Sequence, residues 1–467
     1  MAVKAGKKKI VVDEMAKFDK GEIEFLFEMI KEAMIPGKYL PIAMATVQKL
    51  KNQYKLADKK DFIIKNQMMQ LTDHRSETGK MILNFGPSHP ATHGTLRVIM
   101  ELDGETVVKS TPEIGYLHSG FEKLGEDLDF NQYITITDRM NYLSPLCNNV
   151  AYALSAEKLM EIEVPRRAQY IRVLMCELSR IADHILSIGM QAVDIGAFTV
   201  FLYGFRLREE IYDLFEIATG TRLTTSYTRV GGLMRDIPED FDKAVVRVLD
   251  QVDEVLNDIE TLLNKNRIWH NRTKDVGVIS KEDAISYGLS GPMARASGID
   301  WDIRVKEPYS SYSDFDFDVI IALNGDVFDR YLVRTEEIRQ SEKICRQVIN
   351  DMPSGDINID PDHKFNLPPK EEVYNSIEGL IHHFEITMPN RGMEPPAGES
   401  YVPTESPNGE LGYYIVSNGG RTPYRVRTRP PSFINYSILS QIMDGQMLSD
   451  AVAILGSMNI IAGELDR

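Results

Sequence analysis

The chain has 467 residues, of which 43% are hydrophobic and 26% are charged, a composition typical of a globular protein with more than one lobe. Its net charge of −16 disfavours nucleic acid as the main partner, because binding to phosphates requires a basic surface. Its three cysteines form no CxxC pair, which excludes a disulfide framework and a local metal-binding knot.

Residues 1–78 are predicted to form a basic extension ahead of an acidic body. The first 80 residues carry 16 Lys and Arg against 11 Asp and Glu. Apolar residues from Phe25 to Met34 indicate one short amphipathic helix, which Pro36 ends. We expect this extension to be partly helical or disordered, and its charge either contacts an acidic partner or lipid head groups or is simply solvated.

Residues 79–115 are predicted to form an antiparallel sheet that carries a loop with two histidines. A strand, KMILNF, precedes the loop GPSHPATHG, and a hairpin turns at Asp103-Gly104. Prolines and glycines prevent a helix in the loop, so the spacing of His89 and His93 does not indicate a helical metal pair. The two imidazoles either tie the loop down or bind a ligand, and no third zinc ligand lies nearby in the sequence.

Residues 116–400 are predicted to be a helical core. Apolar residues recur at helical spacing in four long segments, which together indicate a four-helix bundle. The segments are 146–163, 167–192, 203–219 and 239–265, and a further helix is predicted at 329–352. Residues 401–467 are predicted to hold a second hairpin, around Asn418-Gly419-Gly420, and a tail. The fold class expected is therefore α+β, mainly helical, with small antiparallel sheets near both ends of the body.

Two residues in or beside the helical segments are candidates for chemistry. Asp194 is the only charged residue between His184 and Arg206. It either caps the helix that begins near Gly196, or it is a buried acid coupled to a histidine. Tyr142 either donates a hydrogen bond to a carbonyl or packs in the core. No P-loop, GxGxxG unit or GxSxG elbow is present in a convincing context.

From about residue 80 to the end, the sequence resembles the quinone-site subunit of respiratory complex I, the D-type subunit of bacterial NADH–quinone oxidoreductase, also called the 49-kDa subunit. The segments that carry this resemblance are GPSHPATHGTLR, GYLHSGFEK, DRMNYLSPLCNNVAYALSAEKL, PRRAQYIRVLMCELSRIADHI, NRIWHNRT, GDVFDRYLVR, PTESPNGELGYYIVSNGG and GELDR. The resemblance implies a fold like that of the large subunit of nickel–iron hydrogenases.

The resemblance also implies roles for individual residues. His93 and Tyr142 match the residues that bond the two carbonyls of a quinone, and Asp194 matches the acid that pairs with that histidine. His89 and Ile461 would line the same site. Arg139 and Thr224 would lie near a terminal 4Fe-4S cluster that a neighbouring subunit holds.

The resemblance leaves two rival functions. A hydrogenase-type enzyme is opposed because its metal centre needs two CxxC pairs, and Asn141 and Ser144 stand where the first would be. A scaffold that only positions its neighbours remains open. Thr224 stands where many family members have histidine, and since threonine cannot titrate, we expect a cluster potential that depends little on pH and suits menaquinone.

The expected activity is that of a proton-pumping NADH–quinone oxidoreductase, as part of a complex, in which the donor is NADH, ferredoxin or another carrier. Menaquinone or ubiquinone is the expected substrate, and no metal is expected to be bound by this chain. The expected partners are the subunit that holds the terminal cluster, the 30-kDa-type subunit and the membrane subunit that contains the quinone channel. Ser119 stands where mitochondrial members have arginine. The expected location is therefore the cytoplasmic side of a bacterial inner membrane.

Overall fold

A computed structural model describes residues 80–360, 363–388 and 392–467. The chain divides into two compact units, residues 1–82 and 83–467. The predicted basic extension, residues 1–78, lies outside the described residues. The predicted helical core and the predicted C-terminal segment both fall in the second unit, and the boundary between them stays a prediction.

Eight strands and eighteen α-helices are found in the described part of the chain. The strands are β1 (Met81–Phe85), β2 (Arg97–Asp103), β3 (Thr106–Glu113), β4 (Thr228–Arg229), β5 (Gly232–Leu233), β6 (Gly398–Ser406), β7 (Gly409–Ser417) and β8 (Arg425–Arg429). The helices before residue 270 are α1 (Phe121–Asp127), α2 (Ile134–Thr137), α3 (Pro145–Met160), α4 (Arg166–Asp194), α5 (Phe198–Thr219), α6 (Phe241–Leu249), α7 (Val252–Leu263) and α8 (Arg267–Thr273). The later helices are α9 (Lys281–Ser286), α10 (Pro292–Ala296), α11 (Ile303–Lys306), α12 (Val327–Asn350), α13 (Lys370–Asn375), α14 (Ile377–Thr387), α15 (Pro431–Tyr436), α16 (Leu439–Met443), α17 (Leu448–Met458) and α18 (Ala462–Asp466).

The two predicted hairpins are confirmed, and each belongs to a three-stranded sheet. In the first sheet β2 pairs antiparallel with β3, from Arg97 opposite Glu113 to Asp103 opposite Thr106. In the last sheet β7 pairs with β8, with Val416 opposite Arg425. Strand β6 was not predicted; it pairs with β7 along nine residues through a tight turn in which Ser406 opposes Gly409. An Asn-Gly pair at the end of that turn was the available signal.

The helical core is built around α4, which is buried along most of its 29 residues. Helices α3, α5, α12 and α17 all pack against it. Leu174, Leu178, Ile181, Ile185 and Ile188 keep a helical period, so α4 has apolar neighbours along its whole length. The α+β class, mainly helical with small antiparallel sheets, is confirmed.

The predicted helix 239–265 is two helices, α6 and α7. Asp250 and Gln251 interrupt it, and the Gln251 N–H bonds to the Val248 carbonyl, three residues back rather than four. Both pieces still pack on the core, with Val245 of α6 and Ile259 of α7 buried. The predicted third helix begins five residues earlier than expected, at Phe198, directly after a turn in which Gly196 has φ +99°.

Candidate functional site

A cavity of about 140 Å³ lies where the histidine loop, α4, α17 and the start of α18 meet. Its wall is mostly apolar, from Ala91, Leu96, Leu143, Leu186, Met190, Leu455, Ile460, Ile461, Ala462 and Leu465. Its polar wall residues are Thr92, His93, Thr95, Tyr142, Ser187 and Asn459. Three of the residues predicted for one site, His93, Tyr142 and Ile461, therefore meet in one cavity.

The loop holds its two histidines in different ways. Pro90–Thr92 form a single 3₁₀ turn, which His93 ends in the left-handed conformation at φ 53°. Gly86 has φ +83°, and a Cβ atom there would lie 2.3 Å from the Leu96 carbonyl oxygen. The buried Thr92 hydroxyl donates to the His89 carbonyl (2.8 Å). These contacts make the loop a fixed support for the His93 ring.

His93 presents an imidazole without a hydrogen-bond partner in the described part of the chain. The residue is exposed, yet the surrounding protein removes enough hydration from the ring to lower its pKa below the ordinary value. The ring is therefore neutral at pH 7, and one of its nitrogens can donate a hydrogen bond while the other accepts.

His89 does not line this cavity. Its Nδ1 accepts a hydrogen bond from the Ala91 N–H (3.2 Å), and its ring packs 4.4 Å from the Phe85 ring. It faces a separate hollow, bordered by β1 and the start of α17. The capping bond engages one ring nitrogen and leaves the ring at this hollow, so a role of His89 in ligand binding stays a prediction.

Tyr142 reaches the cavity from the segment between α2 and α3. Its hydroxyl makes no hydrogen bond within the described residues. Burial raises the pKa of Tyr142, and the carboxyls of Asp183 and Glu464 raise it further. The hydroxyl therefore keeps its proton at neutral pH and is available as a donor.

Asp194 is the last residue of α4, and its Oδ2 is buried without a partner among the described residues. Burial raises its pKa to about 6. It does not cap α5, whose N-terminal cap is Ala197 with no side-chain bond. No hydrogen bond joins it to His93 in the described structure, so the expected direct pair is not formed. It lies beside Gly456, a wall residue of the cavity whose added Cβ atom would be 3.3 Å from Oδ2.

Two acids behind the cavity were missed by the sequence analysis. Glu464 is fully buried, accepts a hydrogen bond from the Ser432 hydroxyl (2.7 Å), and burial raises its pKa to about 7. Asp183 is also buried, and its Oδ1 accepts from the Asn459 amide (2.8 Å). Asp183 could have been found from the sequence, because it is a charged residue between Ile181 and Ile185 in the apolar pattern of α4.

Arg139 and Thr224 lie on two segments that Asp138 joins. The buried Asp138 carboxylate accepts from the Asn149 amide (2.7 Å) and from the Ser226 N–H (2.9 Å). The Arg139 side chain is exposed, and Thr224 is half-buried. Neither residue belongs to the wall of the cavity.

Within the described residues, no group of three or more His, Cys, Asp or Glu side chains is arranged to hold a metal ion. Asn141 and Ser144, at the place of the expected first thiolate pair, are buried, and the Ser144 N–H donates to Asn141 Oδ1 (3.2 Å). None of the described helices is both long and apolar enough to cross a membrane.

Comparison with known proteins gives concordant results. The family described as "Respiratory-chain NADH dehydrogenase, 49 Kd subunit" matches residues 194–467. The D-type subunit of the NADH-quinone oxidoreductase of Geotalea uraniireducens is 52% identical over 392 residues, which cover 84% of this chain and 100% of that protein. The corresponding subunits of Geobacter sulfurreducens and Methylacidiphilum infernorum are each 50% identical, over 84% of this chain and over 100% and 93% of their own lengths.

Proposed function

The chain belongs to the 49 kDa subunit family of respiratory-chain NADH dehydrogenase, as the D-type subunit of an NADH-quinone oxidoreductase, and we propose that its cavity is where quinone is reduced. The chain is part of an oxidoreductase complex, and its partners are the other subunits of that complex. The proposed electron source is the terminal 4Fe-4S cluster of a neighbouring subunit.

The observation that supports this proposal most is the pairing of His93 and Tyr142 in one apolar cavity. Both side chains can donate a hydrogen bond, and neither has a partner within the described residues. A quinone has two carbonyl oxygens, and each needs a donor when the ring enters an apolar site. The two groups thus match the two polar ends of a quinone ring, while the leucine and isoleucine walls match its faces.

The chemistry needs two electrons and two protons for each quinone reduced to quinol. Negative charge develops on the carbonyl oxygens as electrons arrive, and hydrogen bonds in an apolar cavity stabilise it. Asp194 and Glu464, with pKa values of about 6 and about 7, exchange protons near neutral pH. We propose that Asp194, which lies behind Gly456, acts on His93 through its charge and not by a direct bond, and that Glu464 acts on Tyr142 in the same way.

The size of the cavity limits what this chain encloses by itself. Its volume of about 140 Å³ is below the roughly 300–1,000 Å³ of sites that bury a whole ligand. The head group of a quinone is the part that this cavity would hold. The tail would then lie in space that a partner subunit completes, which supports a site shared between subunits.

Arg139 and Thr224 are proposed to face the subunit that holds the cluster. Asp138 holds their two segments together, and the exposed Arg139 guanidinium donates a hydrogen bond to the Thr135 carbonyl at the surface. Because Thr224 cannot titrate, the proposed consequence is a cluster potential that varies little with pH, and menaquinone is the proposed quinone.

The specific neighbours are also proposals. They are the cluster-holding subunit, the 30-kDa-type subunit and the membrane subunit with the quinone channel. The proposed location is the cytoplasmic side of a bacterial inner membrane, where the chain is held peripherally by these partners.

Replacing Tyr142 by phenylalanine in the assembled complex tests the proposal. The ring is kept and the donor is lost, so kcat for quinone reduction should fall roughly 10- to 100-fold. NADH oxidation by an artificial acceptor upstream of the cavity should be unchanged. Tyr414→Phe removes a hydroxyl that bonds Glu399 on the exposed face of the last sheet, and it should leave both rates as they are. Full quinone turnover and unchanged binding of a quinone analogue in Tyr142→Phe would instead support a scaffold role.

A further inference from the structure

Helix α14 turns its apolar side away from the rest of the described chain. Ile377, Leu380, Ile381 and Phe384 follow the i, i+3, i+4, i+7 spacing that places side chains on one helix face. Their exposed fractions are 73%, 41%, 53% and 49%. Leu367, Tyr374 and Met388, at the borders of the same segment, are exposed as well. We refer to Ile377, Leu380, Ile381 and Phe384 as the outer stripe.

The opposite side of α14 is the one that packs. Gly379 is buried, and a Cβ atom there would lie 2.9 Å from the backbone of Glu372 in α13. The His382 ring donates a hydrogen bond from Nε2 to the Asn366 carbonyl (2.8 Å). A small residue and a polar residue thus hold the helix in place. The polar side of the helix packs on its own chain, and the apolar side is exposed.

Such an arrangement is costly for a surface in water. Single exposed apolar residues are ordinary, but contiguous stripes mark interaction sites in soluble proteins. Burying large apolar side chains at an interface is favourable because it removes them from water. The four residues of the outer stripe therefore form a strong candidate for the centre of an interface.

The charge around the stripe restricts what covers it. Residues 370–388 contain one lysine and four glutamates, a net charge of −3. Helices that lie on membranes carry Lys and Arg on their polar side, so this segment would be repelled by anionic lipids. A second copy of this chain would bring two acidic segments together, which is also unfavourable.

We propose that the outer stripe docks into an apolar groove with a basic rim on another protein subunit of the same complex, as an amphipathic helix in a groove. Membership of a multi-subunit oxidoreductase supplies such partners. Residues 377–387 lie inside the stretch that matches the family, 194–467, whereas the chain's own first 79 residues lie outside it. A partner subunit is therefore better suited to cover the outer stripe than the chain's own basic extension. The proposal does not depend on what the cavity binds.

Photo-crosslinking in the assembled complex identifies the occupant directly. Phe384 is replaced in the full chain by benzoylphenylalanine, which keeps an aromatic side chain in the stripe. After illumination, the cross-linked peptides are identified by mass spectrometry. A peptide from another subunit of the complex is the expected result. Cross-links only to lipid, to residues 1–79 of this chain or to a second copy, or no cross-link at all, would overturn the proposal.

Charged substitutions test whether the stripe is needed for assembly. Ile381→Glu with Phe384→Glu should reduce incorporation of the subunit into the complex by roughly tenfold or more, because hydrophobic contacts at an interface centre dominate binding. Ile381→Leu with Phe384→Leu keeps the apolar surface and should incorporate normally. The thermal melting of the isolated full chain should be alike in all forms, because both side chains are exposed. Wild-type incorporation of the glutamate variant would contradict the proposal.

Discussion

At the scale of single residues, the site is distinguished by polar groups that the fold leaves unsatisfied. His93 and Tyr142 face an apolar cavity, and a buried Asp194 oxygen lies behind its wall, each without a hydrogen-bond partner in the described part of the chain. Buried polar groups are nearly always paired in folded proteins, because each unpaired group costs free energy. Of the three, the Asp194 oxygen is the buried one, whereas the exposed His93 ring and the half-buried Tyr142 hydroxyl are open to a ligand in the cavity.

Asp194→Asn separates a functional role from a structural one. Burial raises the pKa of Asp194 from 3.8 to about 6, so between these values folding takes up a proton and stability falls as pH rises. Above pH 6 the charged carboxylate therefore destabilises the fold. The variant should gain on the order of 1–2 kcal/mol of unfolding free energy at pH 7.5, measured by urea denaturation. This gain should disappear as pH falls below about 4.

The same variant should lose quinone reduction while electrons still reach the neighbouring cluster. Electron arrival is measured from the spectroscopic signal of the reduced cluster. Quinone turnover is measured from the rate at which quinol forms. A stabilised chain with impaired turnover cannot be explained by misfolding. Full quinone turnover in Asp194→Asn would refute the proposed part of Asp194 in the reaction.

At the scale of elements, the contact between α4 and α5 positions one wall of the cavity. The two helices approach closely because Gly204 of α5 faces Ile185 of α4, and a Cβ atom at Gly204 would lie 2.9 Å from the Ile185 Cγ2. The next residues of α4, Leu186 and Ser187, line the cavity. The glycine therefore sets the distance between helices on which the shape of the site depends.

Gly204→Leu should force α5 away from α4. Overpacking of this kind costs about 1–3 kcal/mol of unfolding free energy, which urea denaturation would measure. Gly189→Ala is the control at the same contact, because its Cβ atom would lie at an ordinary 3.4 Å from the Phe201 Cα. The control should be neutral or slightly stabilising, since alanine favours a helix over glycine. If Gly204→Leu and the wild type have equal unfolding free energies, α4 and α5 do not approach closely at Gly204.

At the scale of the whole unit, a buried ion network joins parts of the chain that are far apart in sequence. Arg295 bonds Glu337 of α12 and Glu405 of β6, both at 2.7 Å. Arg304 bonds Glu177 of α4 (3.1 Å). Burial alone would raise the pKa of Glu337, but Arg295 and His184 lower it below its ordinary range, whereas burial raises that of Glu405. Glu337 is thus the carboxylate that Arg295 holds charged.

Arg295→Met should be strongly destabilising. It leaves the Glu337 charge buried with only the His184 hydrogen bond, and breaking a buried pair in this way costs about 3–5 kcal/mol. Chemical denaturation of the chain measures the loss. Arg222→Met removes an arginine that also contacts three carboxylates, but on the exposed end of α5, and its effect should be far smaller. Similar losses in the two variants would argue against a special role for the buried network.

Much of the fold and part of the site could be predicted from local patterns. Apolar periodicity located α3, α4 and α12 to within a few residues, and Asp-Gly and Asn-Gly-Gly turns located two hairpins, because these signals act between near neighbours in sequence. The motifs also singled out His93, Tyr142 and Ile461, which the fold brings to one cavity. Strand β6 was not predicted, because the turn that joins it to β7 was not recognised as a hairpin turn.

The amino-acid sequence alone established the composition, the absence of paired cysteines, the helical periods and the rigid histidine loop, because each depends on residue type and short-range geometry. The tertiary structure was needed to show that His89 turns to another hollow, that Asp194 lies behind Gly456 without bonding His93, and that Glu464 and Asp183 stand near Tyr142. Such placements depend on how α4, α17 and α18 pack, and packing joins residues hundreds of positions apart. The same physics explains the outer stripe of α14, whose direction follows from contacts at Gly379 and His382 and not from its own pattern.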